Sequence, residues 1–198
     1  MNVKMVHIPK CAGITIKTVL SKYSNFYECT NHTYANQNNL KDFFSFAIIR
    51  NPWSKLYSGY SFYQVGSEYT KPRFDNLTAT SNFNDFVRHI YQNKLYMQNT
   101  SKESGEDLIW HKQINWIYKQ DGNVIDHLGQ FENLIHTFEI LENDFNMAGC
   151  VNEFKKTHIN KTKFKTKYQE MYNSETRDMV AEMYKEDIKL FNYTFDGH

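Results

Sequence analysis

The sequence has few cysteines, almost no net charge and no long apolar run, and each absence excludes a class of protein. Its 198 residues include three cysteines, Cys11, Cys29 and Cys150, whose spacing supports neither a disulfide framework nor a cysteine metal site. A net charge of +1 gives no bulk field to recruit nucleic acid or an anionic membrane surface. No run reaches the roughly 18 apolar residues of a membrane span. Since the first strand leaves no room for a signal peptide, we expect a cytoplasmic protein. Because the net charge is near zero, we expect no nucleic-acid partner.

The sequence does contain enough apolar material for one folded α/β domain. Hydrophobic residues make up 40% and aromatic residues 16% of the chain, which excludes disorder. Apolar runs alternate with helical periodicities, as is typical of a small parallel sheet with crossover helices. The pattern predicts one domain over 1–198, with strands at 3–8, 46–49 and 124–129 and helices at 15–20, 53–63, 82–91, 132–147 and 174–191. It also predicts a loop at 23–39 and polar insertions at about 66–81 and 93–107.

The first candidate site lies where the first predicted strand meets the first predicted helix. The apolar run 3–8 is followed by Pro9-Lys10 and by the small residues Cys11-Ala12-Gly13, and a helical pattern begins at Thr15. Backbone N–H groups at a turn and at a helix N-terminus bind phosphate oxygens, and a lysine adds a full charge. The stretch therefore predicts a phosphate-binding loop.

A second candidate site follows the apolar run 46–49, which indicates a central strand. Arg50 ends this strand, Pro52 stands in the first turn of the next helix, and Ser58 follows two helical turns later. Arginine offers a bidentate fork to phosphate oxygens, and serine offers a directional hydrogen bond. Ligands of open α/β sheets bind beyond the carboxyl ends of the strands. Two anion sites at two strand ends therefore suit a nucleotide with phosphates at both its 5′ and 3′ positions.

Together the two stretches resemble the PAPS-dependent sulfotransferases. The matching motifs are His-Ile-Pro-Lys-x-x-Gly-x-Thr at 7–15 and Phe-Ala-Ile-Ile-Arg-Asn-Pro-Trp-x-Lys-x-x-Ser-x-Tyr at 46–60. Segments 125–134, 160–162 and 184–193 are similar to later parts of the carbohydrate branch, that is, the heparan 2-O- and chondroitin-type enzymes and their bacterial relatives. The resemblance covers most of the chain apart from the two insertions. We therefore expect a P-loop-like three-layer α/β fold, with a small central parallel sheet flanked by helices.

The resemblance implies 3′-phosphoadenosine 5′-phosphosulfate (PAPS) as donor, PAP as product and no metal. The 5′-phosphosulfate would lie on the loop formed by Lys10, Cys11, Ala12, Gly13, Ile14 and Thr15. Arg50 and Ser58 would hold the 3′-phosphate. Lys161 and Thr162, in a basic loop at 158–167, would close over the adenine side.

The chain departs from the family pattern at three positions. Ile14 stands where Thr or Ser is usual, which removes one hydroxyl contact and leaves the backbone amides. Lys55 and Gln130 stand where Arg or another base is common, so the resemblance does not carry secondary anion contacts over to these positions.

Sulfuryl transfer needs a cation at the leaving phosphate and a base for the proton of the acceptor hydroxyl. Lys10 is the candidate cation. The resemblance places the catalytic histidine in the polar segment between the two phosphate sites, which makes His32 the first candidate base. His111 is the runner-up, and Glu28 is a weaker carboxylate candidate. His7, on the first strand, is interpreted as structural.

The acceptor is expected to be a hydroxyl of an oligosaccharide or a similar polar small molecule. Trp53, Trp110 and Trp116 are candidates for a sugar-stacking platform, with the core as their alternative place. Two other functions stay open. One is a nucleotide-dependent kinase, which the missing GxxxxGK[ST] loop and acidic strand end for Mg²⁺ disfavour. The other is a non-catalytic module that keeps the nucleotide site without turnover.

Overall fold

The computed structural model describes residues 1–29, 32–65, 82–97, 107–119, 121–157 and 166–197. The chain divides into two compact units, the first formed by Met1–Arg50 with Gln113–Lys161 and the second by Asn51–Lys112 with Thr162–His198. The prediction of one domain over 1–198 stays a prediction. The described α-helices are α1 (Gly13–Leu20), α2 (Pro52–Val65), α3 (Phe83–Gln92), α4 (Leu134–Asp144), α5 (Cys150–Lys156), α6 (Ser174–Met183) and α7 (Lys185–Phe191).

A four-stranded parallel sheet forms the centre of the first unit. Its strands are β1 (Asn2–Val6), β2 (Phe26–Glu28), β3 (Phe43–Ile49) and β4 (His127–Gln130), in the order β2-β1-β3-β4. Met5 lies opposite Phe46, and Ala47 lies opposite Leu128. The predicted α/β class, with a small parallel sheet flanked by helices, is confirmed, and β3 is a central strand as predicted.

Three helices of the first unit cover apolar side chains of this sheet. The predicted apolar face of α1, Ile16, Val19 and Leu20, is buried. Helix α1 packs with α5, and α4 packs with both α5 and β4. Because β1, β3 and β4 are parallel neighbours, their carboxyl ends lie at the same edge of the sheet.

The segment 23–39, predicted to be a loop, contains strand β2, so this prediction is wrong. Val3 pairs with Phe26, and Met5 pairs with Glu28. Three residues are too few for strand periodicity to stand out in a sequence, and the strand exists because β1 offers it an edge. Its consequence for the site is that Glu28 ends beside the chain leaving β1.

Other boundaries also differ from the prediction. The helix predicted at 132–147 begins after a 3₁₀ turn and ends at Asp144, and α5 follows Gly149, whose φ is 84°. The helix predicted at 174–191 is two helices, because Tyr184, with φ −114° and ψ 25°, leaves the helical region. Strand β4 is shorter than the predicted strand, since Val124 forms only an isolated antiparallel bridge with Tyr118.

The second unit is helical and has an aromatic core. Pro52 begins α2 as predicted, and the side chain of Asn51 accepts from the N–H groups of Trp53 and Ser54, which caps the helix. Asn82 caps α3 in the same way. Trp53 and Trp110 belong to this core, and Trp116 is buried in the first unit. All three tryptophans therefore take the core alternative and provide no sugar-stacking surface.

Candidate functional site

The loop between β1 and α1 has the backbone of an anion-binding turn. Lys10 and Ala12 have φ angles of 65° and 63°, so the chain curls twice within three residues before α1 begins at Gly13. The Cys11 N–H donates to the Ile8 carbonyl across 3.3 Å. N–H groups of the first turn of a helix have no acceptor within that helix, and they carry the positive end of its dipole. The loop therefore offers main-chain donors to an anion.

The side chains of this loop explain why its substitution at Ile14 is tolerable. Ile14 is 54% exposed and Cys11 only 2%. The Cys11 thiol points inward and donates to Gln113 Oε1 across 3.4 Å. Neither side chain offers a hydroxyl, so an anion at this loop would contact main-chain N–H groups at the start of α1, which do not depend on the side chain of residue 14.

Gly13 is required because the imidazole of His7 lies against its Cα. A Cβ at position 13 would overlap the His7 ring. The first turn of α1 can therefore approach the end of β1 only if residue 13 has no side chain.

Arg50 contacts the loop after β1 directly through its side chain and indirectly through its backbone, by way of Gln113. Its Nη1 donates to the Lys10 carbonyl across 3.0 Å. Its own N–H donates to Gln113 Oε1, and its carbonyl accepts from Gln113 Nε2, both across 2.8 Å. Because Gln113 Oε1 also accepts from Cys11, one fully buried amide ties the two predicted phosphate-binding stretches together. Sequence reasoning missed Gln113, since a lone glutamine in a segment without periodicity gives no signal.

The electrostatics of this edge of the sheet favour an anion. Burial, and next the charge of Arg50, lower the pKa of Lys10 to about 8. The guanidinium carbon of Arg50 lies 3.9 Å from the centre of the Phe131 ring, at the end of β4. Two cations thus face each other where three strands end, and an anion bound to both would offset their repulsion.

His32 stands beside this loop in a hydrogen-bonded cluster with His7. The backbone of His32 is left-handed, with φ 53°, a conformation that costs energy and is found at functional sites. Its Nδ1 lies 3.2 Å from the His7 carbonyl, and the two rings are 4.2 Å apart. An Nδ1–H donated to that carbonyl leaves the Nε2 lone pair available, as a general base requires.

His7 and Glu28 form a second layer behind His32. His7 Nδ1 lies 2.8 Å from Glu28 Oε1, and Lys17 Nζ lies 2.7 Å from Glu28 Oε2. Burial, and next the proximity of His32, lower the pKa of His7 to about 4. Burial opposes ionisation of Glu28, yet the hydrogen bonds from Lys17 and His7 outweigh it and hold its pKa below the usual value. At neutral pH this cluster holds a neutral His7 between a carboxylate and His32.

The other candidates belong to the second unit or lie outside the described residues. Ser58 is nearly buried on α2, and its convergence with Arg50 on one phosphate stays a prediction. His111 is 1% exposed, and burial, with Lys55 as the next cause, lowers its pKa to about 4. Its role as the alternative base stays a prediction. Lys161 and Thr162 lie outside the described residues.

Lys55 has a structural role. Its Nζ donates to the Ile109 carbonyl across 2.6 Å and to the His111 carbonyl across 3.1 Å, and its side chain is buried.

Within the described ranges, no three His, Cys, Asp or Glu side chains are grouped so as to hold a metal ion. In that same part of the chain, every helix is too short or too polar to cross a bilayer.

Comparison with known proteins gives one finding. Neither the curated proteins nor the solved structures contain a significant match. The sequence model described as "Sulfotransferase family" matches residues 2–194, which is nearly the whole chain and includes both predicted phosphate-binding stretches. The chain therefore belongs to the sulfotransferase family, in its carbohydrate sulfotransferase branch.

Proposed function

We propose that this protein transfers the sulfuryl group of PAPS to a hydroxyl of a carbohydrate or similar polar acceptor, with His32 as base and without a metal. Membership of the family supports sulfuryl transfer in general. The observation that carries the finer proposal is the joining of Lys10 and Arg50 by a hydrogen bond at neighbouring strand ends, directly before a helix start.

The donor supplies the sulfuryl group and a good leaving phosphate. Lys10 and the N–H groups at the start of α1 would bind its 5′-phosphosulfate, where Lys10 stabilises the charge that develops as the bond to the leaving phosphate breaks. The residues fit such an anion, because two cations and the N-terminus of α1 lie together at this edge of the sheet. Binding an anion would also restore the full charge of Lys10, whose pKa of about 8 lies close to neutrality.

His32 would accept the proton of the acceptor hydroxyl at Nε2. The hydrogen bond between its Nδ1 and the His7 carbonyl supports this assignment, because it selects the tautomer whose Nε2 carries the lone pair. The N–H bond forms as the acceptor O–H bond breaks, and the acceptor oxygen takes the sulfuryl group. Arg50 and Ser58 would hold the 3′-phosphate, and Lys161 and Thr162 would contact the adenine side. The carbohydrate class of acceptor rests on the family branch.

Calorimetric titration tests the donor site. PAP should bind without Mg²⁺ and at least tenfold more tightly than ADP, because ADP has no 3′-phosphate for the Arg50 guanidinium. Arg50→Gln and Ser58→Ala should each reduce the preference for PAP over ADP. Ser54→Ala, which alters another serine of α2, is the matched control for Ser58→Ala and should keep the preference. Equal affinity for PAP and ADP in the wild type would contradict the assignment of Arg50 and Ser58.

Turnover separates an enzyme from a binding module. Sulfate-labelled PAPS and a panel of glycans and small hydroxyl compounds should give labelled product with the wild type. His32→Gln should lower kcat by about 10²–10⁴-fold, as expected for loss of a general base, and His111→Gln serves as a matched control. An inert wild type that binds PAP would favour the non-catalytic module. An active His32→Gln would assign the proton transfer to another group.

A further inference from the structure

His32 contacts His7, and His7 in turn contacts Glu28, which pairs with Lys17. His7 is the nearest neighbour of His32, through its carbonyl oxygen and through its ring. Three surfaces fix the His7 ring itself: Glu28 at Nδ1, the Cα of Gly13, and His32. A ring enclosed in this way cannot move to a substrate, so its role is to hold His32.

The charges of the cluster determine what this holding does. The Glu28 carboxylate from β2 contacts His7, and Lys17 from α1 pairs with the same carboxylate and offsets part of its charge. His7 stays neutral near pH 7, because burial and the proximity of His32, whose ring is tilted by 54° against it, lower its pKa to about 4. A proton taken up by His32 from an acceptor would therefore face a neutral ring, with the Glu28 carboxylate behind it.

We propose that His7 and Glu28 are positioning residues that fix the tautomer of His32 and stabilise its protonated form, with Lys17 moderating the charge of Glu28. This inference rests on the proposed function of His32 as the base. The carboxylate acts through a second imidazole, so His7 is a working part of the site and not only a structural residue of β1.

The cluster also explains why β2 matters. Glu28 is the last residue of β2, and its register opposite Met5 brings its carboxylate to His7, which directly follows the end of β1.

Histidine-resolved NMR titration of the full chain tests the proposal independently of any acceptor. Ring ¹⁵N and ¹³C signals, assigned with His32→Gln and His7→Gln, report the tautomer and the titration midpoint of each histidine. Wild-type His32 should carry its proton on Nδ1. Glu28→Gln should move the His32 midpoint down by about 0.5–1 pH unit, and Lys17→Met should move it up by roughly half as much, since Lys17 is more exposed.

The opposite signs of these two shifts are decisive, because a merely structural role would not produce them. Shifts in the same direction, shifts under about 0.2 unit, or an Nε2–H tautomer in the wild type would overturn the proposal. Lys17 is largely exposed, so Lys17→Met retains the fold even if Glu28→Gln does not.

Kinetics then separate this inference from the proposed function. With PAPS and an accepted hydroxyl compound, the acidic limb of kcat/KM should follow the two NMR shifts. If the NMR shifts occur and the wild type transfers no sulfuryl group, the positioning pair stands and the proposed function fails. If the wild type transfers a sulfuryl group and neither Glu28→Gln nor Lys17→Met shifts the acidic limb of kcat/KM, the positioning role is contradicted and the proposed function stands.

Discussion

The two compact units each contain a lysine and a histidine within a recognisable motif, and the structure uses them in opposite ways. In the first unit, Lys10 follows a strand end beside Arg50, and His32 stands on a strained backbone next to the same loop. In the second unit, Lys55 is enclosed by two carbonyls and His111 is buried beside it. Residue type alone therefore does not separate the lysine proposed to bind the donor from the enclosed one; their surroundings do.

Replacing each lysine should give the largest contrast between the units. Lys10→Ala should reduce sulfuryl transfer from PAPS by about 10²–10³-fold and leave stability nearly unchanged, because the loss concerns charge stabilisation during the reaction. Lys55→Met should cost roughly 2–3 kcal/mol of unfolding free energy, because two buried carbonyls lose their charged donor. Labelled-product assays and urea unfolding measure the two effects. Full turnover by Lys10→Ala would remove Lys10 from the reaction.

The same contrast shows how far the sequence alone reaches. Strong signals were local: the apolar runs of β1 and β3, the turn at 11–13 and Pro52 all predicted what the structure contains. Elements that depend on distant partners gave no signal in the sequence. Strand β2 is an example, because its three residues form a strand only by pairing with β1.

The candidate site follows the same rule. Lys10 and Arg50 could be predicted to share one edge of the sheet, since parallel neighbouring strands end together. Gln113 could not, because its role arises from bonds to residues 63 and 102 positions away. The sequence ranks His32 above His111 only through the resemblance, and the structure adds that His111 is buried whereas His32 lies beside the loop after β1.

Two glycines provide the next contrast, one in each unit. Gly13→Ala would force a Cβ into the His7 ring, which Glu28 holds from the other side, and should cost roughly 1–3 kcal/mol together with much of the PAP affinity. Gly59→Ala, whose Cβ would lie 2.7 Å from the Trp110 ring, should cost a similar amount of stability and retain PAP affinity in the folded fraction. Urea unfolding and calorimetry measure both. Wild-type PAP affinity in Gly13→Ala would place the donor elsewhere.

Acid should destabilise both units through their buried histidines. Burial is the first cause that lowers the pKa of His7 and of His111 to about 4, whereas an unfolded histidine has a pKa of about 6.5. The unfolded chain therefore binds more protons between these values, and stability present above pH 6.5 is lost as the pH falls towards 4.

Each histidine should contribute on the order of 1–2 kcal/mol of this loss between pH 7.5 and 5.0. Urea unfolding at the two pH values measures it, with His111→Gln and His7→Gln compared with the wild type. Each substitution should make the unfolding free energy less dependent on pH. An unchanged pH dependence in His111→Gln would mean that its imidazole is accessible to protons in the folded protein.

The smallest effect concerns Lys10 at alkaline pH, and it tests the first unit alone. Burial, and next Arg50, lower the pKa of Lys10 to about 8, so the free protein loses this charge as the pH rises through 8. PAP affinity should therefore fall about threefold between pH 7.5 and 8.5, as the protonated fraction of a group with this pKa falls.

Lys10→Arg separates this cause from the titration of other groups, because a guanidinium keeps its charge throughout this range. Calorimetry of PAP binding to this variant should give an affinity that hardly changes from pH 7.5 to 8.5, even if the affinity itself is lower. Lys55→Arg, altered at the enclosed lysine of the second unit, should keep the threefold fall. If Lys10→Arg shows the same fall as the wild type, the alkaline titration belongs to another group, and the charge of Lys10 does not contribute to binding the donor.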